Sequence, residues 1–131
     1  MVQAFEDIRI VELDERNSRQ TGPAPAMYSV YFRLSREAPH QWAHYFVEQW
    51  QSVISTNHKH ARIEGGHIII EYCPLELVKQ FKAKLAESIE HANTQYRSYL
   101  SRQEAEEQKA KEREKKDREQ LKTLKNDMRF D

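Results

Sequence analysis

His58-Lys59-His60-Ala61-Arg62-Ile63-Glu64-Gly65-Gly66-His67-Ile68-Ile69-Ile70-Glu71-Tyr72-Cys73 is the stretch on which the fold turns. Two alternating, β-branched runs flank Gly65-Gly66, and glycine accepts the positive φ that a two-residue hairpin turn requires. Such a turn fixes the register. Glu64 then faces His67, Ile63 faces Ile68, Arg62 faces Ile69, Ala61 faces Ile70, His60 faces Glu71 and His58 faces Cys73. Because side chains alternate across a strand, Ala61, Ile63, Ile68, Ile70 and Tyr72 are predicted on the core side. His58, His60, Arg62, Glu64, His67, Ile69, Glu71 and Cys73 are predicted on the other.

Upstream, residues 27–34 alternate in the same way. Tyr28, Val30, Phe32 and Leu34 form the apolar set; Met27, Ser29, Tyr31 and Arg33 form the opposite one. Residues 5–13 also read as a strand, but Ile8 and Ile10 share one parity while Val11 and Leu13 share the other. That conflict calls for a bulge or for burial on both sides. Residues 14–26, with Asn17, Ser18, Gly22, Pro23 and Pro25, read as a long loop. Between the strands, Trp42, Phe46, Trp50 and Val53 recur at helical spacing from about His40 to Ile54, with Ala43, Val47 and Ile54 widening the stripe. Large aromatics on one helical face are core residues first, at about 25 cal/mol per Å2 buried.

Downstream, Pro74 suits the first turn of a second helix, and Leu77, Val78, Phe81, Leu85, Ile89 and Ala92 supply its stripe. The order strand-strand-helix-strand-strand-helix predicts an α+β fold, with a four-stranded, mainly antiparallel sheet and two helices on one face. That order resembles a circularly permuted ferredoxin-like arrangement, a likeness of fold that carries no function.

No glycine or proline follows Pro74, so the second helix is predicted to run on as a long charged C-terminal helix. Residues 1–100 are predicted as a compact α+β domain and 101–131 as a charged helical extension. The extension holds ten basic and nine acidic side chains, and between 101 and 120 only Ala105 and Ala110 are apolar. Glu107/Lys111, Glu112/Lys116 and Glu114/Arg118 have the favourable i,i+4 order. A coiled coil through this segment lacks the apolar a and d positions it would need. Tyr96, Tyr99 and Leu100 at one end, and Leu121, Leu124 and Met128 at the other, are the candidate partner-binding residues.

The 131 residues carry 21 basic and 21 acidic side chains, a formal net charge of zero. No chain-wide field draws the protein to nucleic acid or to an anionic membrane. Ile68-Ile69-Ile70 is the longest uninterrupted apolar run, far short of a membrane span, and the N-terminal residues show no signal-peptide pattern. With one cysteine, Cys73, no internal disulfide forms, and the expectation is a cytoplasmic protein.

Chemistry-bearing groups are sparse. His58, His60, Glu71 and Cys73 would form a quadrilateral of acceptable zinc ligands on the hairpin's outer face, with the ingredients of a cysteine nucleophile and histidine base. Their spacing matches no established site, and His40 and His44 merely bracket Trp42. GxSxG, P-loop, GxGxxG and HExxH patterns are all missing, and the reading is non-enzymatic with no cofactor. The leading expectation is a protein–protein interaction or assembly module. A helical docking arm would engage a protein partner or a second copy of the chain. The alternative is single-stranded nucleic-acid binding on the open sheet face, through Tyr31, Arg33, His60 and Arg62. The hairpin metal cluster is the weaker third.

Overall fold

Gly65 adopts φ +56°, the left-handed conformation that glycine takes at the first position of a type II′ hairpin turn. A computed structural model describes residues 5–20, 27–54 and 60–130. Within it the hairpin pairs β3 (Ala61–Glu64) with β4 (His67–Pro74) in the expected register, from Glu64 opposite His67 to Ala61 opposite Ile70. The turn is stitched to the rest of the sheet by its carbonyls. Gly66 O accepts from Leu34 N at 2.7 Å and Gly65 O from Ala38 N at 2.9 Å.

The hairpin joins β1 (Ile10–Gln20) and β2 (Met27–Leu34) in an antiparallel sheet of order β1-β2-β4-β3. Helix α1 (His40–Val53) connects β2 to β3, leaving between them the place that β4 fills. This is the order a ferredoxin-like sheet acquires when its last strand is moved to the front. After β4 the chain makes one helical turn, α2 (Leu75–Val78), and a 3-10 turn (Lys79–Phe81), then enters α3 (Lys82–Asp127). The second helix is therefore interrupted near its start rather than continuous from Pro74.

Both helices pack on one face of the sheet. Trp42, Phe46 and Trp50 from α1 and Leu85, Ile89 and Ala92 from α3 share one buried cluster with Val30, Phe32, Leu34, Ile68 and Ile70. Aromatic rings run through it. Phe46 stacks between Trp42 and Trp50 at centroid distances of 5.8 and 6.2 Å, and Trp50 meets the edge of Phe81 at 5.4 Å. Offset and edge-on pairs of this kind add about 0.5–1.5 kcal/mol each beyond the area they bury.

Three readings of the strands are corrected. First, the chain between Asp14 and Gln20 is strand rather than loop, with a register shift between Asp14 and Arg19. Side chains replace the missing ladder bonds there. Asp14 accepts from the Asn17 side chain at 2.7 Å, and Ser18 Oγ donates to Asp14 O at 2.8 Å while accepting from Tyr31 N at 2.9 Å. Polar residues that look like a loop in sequence here build a wide bulge. The remainder of the predicted 14–26 loop lies outside the described residues. Second, residues 5–9 precede β1, although Ile8 is fully buried in the core. The bulge that the parity conflict called for is present: a shift between Ile10 and Glu12 sets Val11 in it, which puts both Ile10 and Leu13 on the core face.

Third, the alternation of β4 breaks at its end. Tyr72 has φ +53°, and the pairing with β2 shifts between Tyr28 and Val30. The left-handed residue reverses the parity. Tyr72, expected in the core, is 49 % exposed, and Cys73, expected outside, is fully buried in the core cluster.

Two compact units are distinguished, Ala4–Arg97 and one that contains Ser98–Asp131. In the second, the helix is water-facing: every described residue from Ser101 to Phe130 is exposed. Glu107/Lys111, Glu112/Lys116 and Glu114/Arg118 stand one turn apart on α3, all exposed. Among the described residues no helix is long and apolar enough to cross a membrane.

Candidate functional site

The outer sheet face is assembled as expected but is electrostatically closed. Arg33 lies 3.3 Å from Glu12, and Arg62 bonds both Glu71 and Glu64, which hold its pKa above the usual guanidinium value. Arg19 donates to the Tyr31 hydroxyl at 3.3 Å, with its guanidinium 5.8 Å from the ring centroid. Tyr31 also meets the His67 ring at 5.8 Å, and His67 Nε2 donates to Asp14 at 2.9 Å. Beneath these groups Ile69 is fully buried. Its burial had no counterpart in the two-faced reading of β4, because a layer of paired charges, rather than a helix, covers it. Of the four nucleic-acid candidates, Arg33, His60 and Arg62 are exposed and Tyr31 is half-buried; both guanidiniums carry carboxylate partners, and the His60 carbonyl accepts from Glu71 N at 3.0 Å.

The cysteine–histidine cluster is not brought together. Cys73 Sγ points into the core beside Pro74 O at 3.4 Å, and burial pushes its thiol pKa up to about 11. A thiol that resists ionisation is a poor nucleophile and a poor zinc ligand. His60 and Glu71 remain on the opposite face, and His58 lies outside the described residues. Among the described residues no group of three or more His, Cys, Asp and Glu side chains is placed to hold a metal ion.

The partner-binding candidates on the long helix fall into two environments. Tyr96 is half-buried, its ring 4.8 Å from that of Phe5 and packed on the core, and Tyr99 and Leu100 are half-buried as well. Leu121, Leu124 and Met128 are 58 %, 46 % and 58 % exposed. Their i, i+3, i+7 spacing sets them along one helical face. Met128 N donates to Leu124 O at 2.9 Å, continuing the helical pattern to that residue.

Sequence reasoning missed a concave apolar surface. A groove of about 760 Å3 opens in the Ala4–Arg97 unit between the segment leading into β1 and helix α3. Its apolar walls come from Ile10, Val11 and Leu13 on one side and Val78, Leu85 and Ile89 on the other. Val11 and Leu13 remain 42 % and 45 % exposed, although Leu13 pairs with the buried Phe32 on the core face of the sheet. The parity conflict left a bulge and two-sided burial both open, so the sequence did not assign Leu13 to this face.

A second missed residue builds one end of the groove. Asn93, buried on α3, accepts from Ile8 N at 3.0 Å and from Trp42 Nε1 at 2.9 Å, and donates to Ile8 O at 2.9 Å. It ties the entry to β1 and helix α1 to the same helical turn. Its only sequence signal was a polar residue beside Ala92, within the apolar stripe. Next to it Arg97 bonds Asp7. Compared with known proteins, the chain matches no family model, no curated protein and no solved structure at a significant level.

Proposed function

We propose that this chain is a non-enzymatic protein–protein interaction or assembly module in which the C-terminal helix is the docking arm. The observation that carries this reading is the apolar seam of Leu121, Leu124 and Met128. It stands in water at the end of a helix whose preceding twenty residues are almost wholly polar. An isolated charged helix gains nothing from displaying leucines, whereas burying three such side chains against a partner contributes several kcal/mol, at about 25 cal/mol per Å2. The spacing suits a short helix-in-groove or helix-pair contact. The partner is another protein or a second copy of the chain.

Nucleic-acid binding on the sheet is the weaker reading. The Arg33 and Arg62 guanidiniums already have carboxylate partners, and a phosphate would have to displace them.

Light scattering coupled to chromatography, together with cross-linking of the full chain in an extract, tests the arm. Replacing Leu121, Leu124 and Met128 with serine is expected to abolish concentration-dependent self-association or the cross-linked species. Circular dichroism should still report a folded α+β unit. If the wild type is monomeric and cross-links no differently from the triple variant, the docking-arm reading fails.

A further inference from the structure

We propose that the groove beside β1 is a separate docking site for an amphipathic helix of another protein. The helix would carry aliphatic or aromatic side chains on one face and carboxylates on the flank that meets Lys79 and Lys82. Three observations lead there, and none involves the C-terminal seam.

The first is the shape of the apolar surface. Asp7 meets Arg97 and Ile8 meets Asn93, so residues 7–13 and the first part of α3 run antiparallel. From Lys82 to Arg97 the helix rises about 23 Å, at 1.5 Å per residue. That length matches roughly four turns of a helix laid alongside. A small apolar ligand is normally 70–90 % enclosed, yet here one wall, Val11 and Leu13, stands almost half in water. The surface is a trough, suited to a macromolecular segment.

The second is the nature of the edge. β1 borders the sheet, and an unpaired edge invites a partner strand. Two register shifts, one at each end of the short run Glu12–Asp14, interrupt the row of free backbone groups. Strand addition therefore finds no continuous ladder, and recognition falls to the side chains in the trough.

The third is charge. The Asp7–Arg97 pair neutralises the end of the groove near Asn93. At the opposite end Lys79 and Lys82, one turn apart and exposed, form no ion pair among the described residues, and neither does Arg9 on the rim. Glu90 is the lone acidic group on the remaining wall, which confines the acidic flank of the partner to the Lys79/Lys82 end and sets its direction.

Two synthetic helical peptides of roughly 16 residues, long enough for the trough at 1.5 Å per residue, test the site by fluorescence anisotropy with the full chain. Both carry leucines at i, i+4, i+7 and i+11; one has glutamates at one flank and its twin has lysines there. The glutamate peptide is expected to bind about 5–10-fold more tightly, as two exposed ion pairs would give, and the gap should narrow in salt. Leu13→Glu should abolish binding, whereas Lys79→Glu/Lys82→Glu should reverse the preference with the fold intact. Leu124→Glu, on the arm, should leave binding unchanged, which separates this site from the arm. Several results would overturn the proposal: no binding of the glutamate peptide at about 100 µM, which corresponds to less than about 5.5 kcal/mol, equal affinity for the twins, or indifference to Leu13→Glu. Oleate binding without peptide binding, or a dimer that dissociates in Leu13→Glu, would assign the groove to a lipid or to a second copy instead.

Discussion

The indole N–H of Trp42 donates to the side-chain oxygen of Asn93 at 2.9 Å, joining the two helices beneath the entry to β1. The same amide closes both backbone groups of Ile8. A single buried side chain thereby satisfies three polar groups that would otherwise lose water without compensation. An unsatisfied buried donor or acceptor costs about 1–3 kcal/mol. Asn93→Ala is expected to destabilise the fold by about 3 kcal/mol in urea unfolding, more than Ala92→Gly in the same turn at about 1 kcal/mol. A loss below about 1 kcal/mol, the ordinary net worth of one hydrogen bond, would show that Asn93 is dispensable.

Gly65 and Gly66 are adjacent but are not equivalent. A Cβ at Gly65 would approach nothing nearer than Glu37 Oε1 at 4.0 Å, and one at Gly66 would meet nothing within 4 Å. Space is therefore not limiting at either. Only Gly65 has the left-handed φ, so Gly65→Ala should cost about 1–2 kcal/mol and Gly66→Ala clearly less. Equal melting temperatures for the two variants would contradict the turn assignment.

Asp14 carries the pH dependence of the β1 bulge. The Asn17 side chain, and then His67, bond its carboxylate and hold its pKa below the usual value. A carboxyl with a depressed folded pKa stabilises the native state while ionised, above about pH 4, and that contribution fades as the pH falls through the lowered value. Asp14→Asn should therefore be less stable than wild type at about pH 6, with the difference shrinking toward about pH 3. Denaturant midpoints of the two proteins across this range decide it, and a constant gap would remove Asp14 from the account.

Cys73 should be chemically silent in the folded protein. With a pKa of about 11 and full burial, only on the order of one thiol in a thousand is ionised at pH 8, and that one is shielded from solvent. Ellman's reagent should react at the rate of global unfolding, and stoichiometrically in denaturant. Rapid labelling of native protein would place the thiol outside the core.

The fold was legible in the sequence wherever one local rule governed. Two glycines between alternating runs specified the hairpin and its register, and the Trp42–Phe46–Trp50 stripe specified the buried face of α1. The change from an apolar to a charged stripe along the second helix likewise foretold a water-facing segment from Ser101 onward.

The working surfaces depended on departures from periodicity. The left-handed turn at Tyr72 moved Cys73 from the proposed ligand cluster into the core, and the bulge at Val11 brought Leu13 to the face where the groove lies. Sequence by itself determined the order of strands and helices, the hairpin register and the exposed seam, because these follow from spacing along the chain. Tertiary structure alone decided where Cys73 points, what Asn93 bonds and where the trough opens. A one-residue bulge changes little in composition, but it reverses the face of every side chain beyond it.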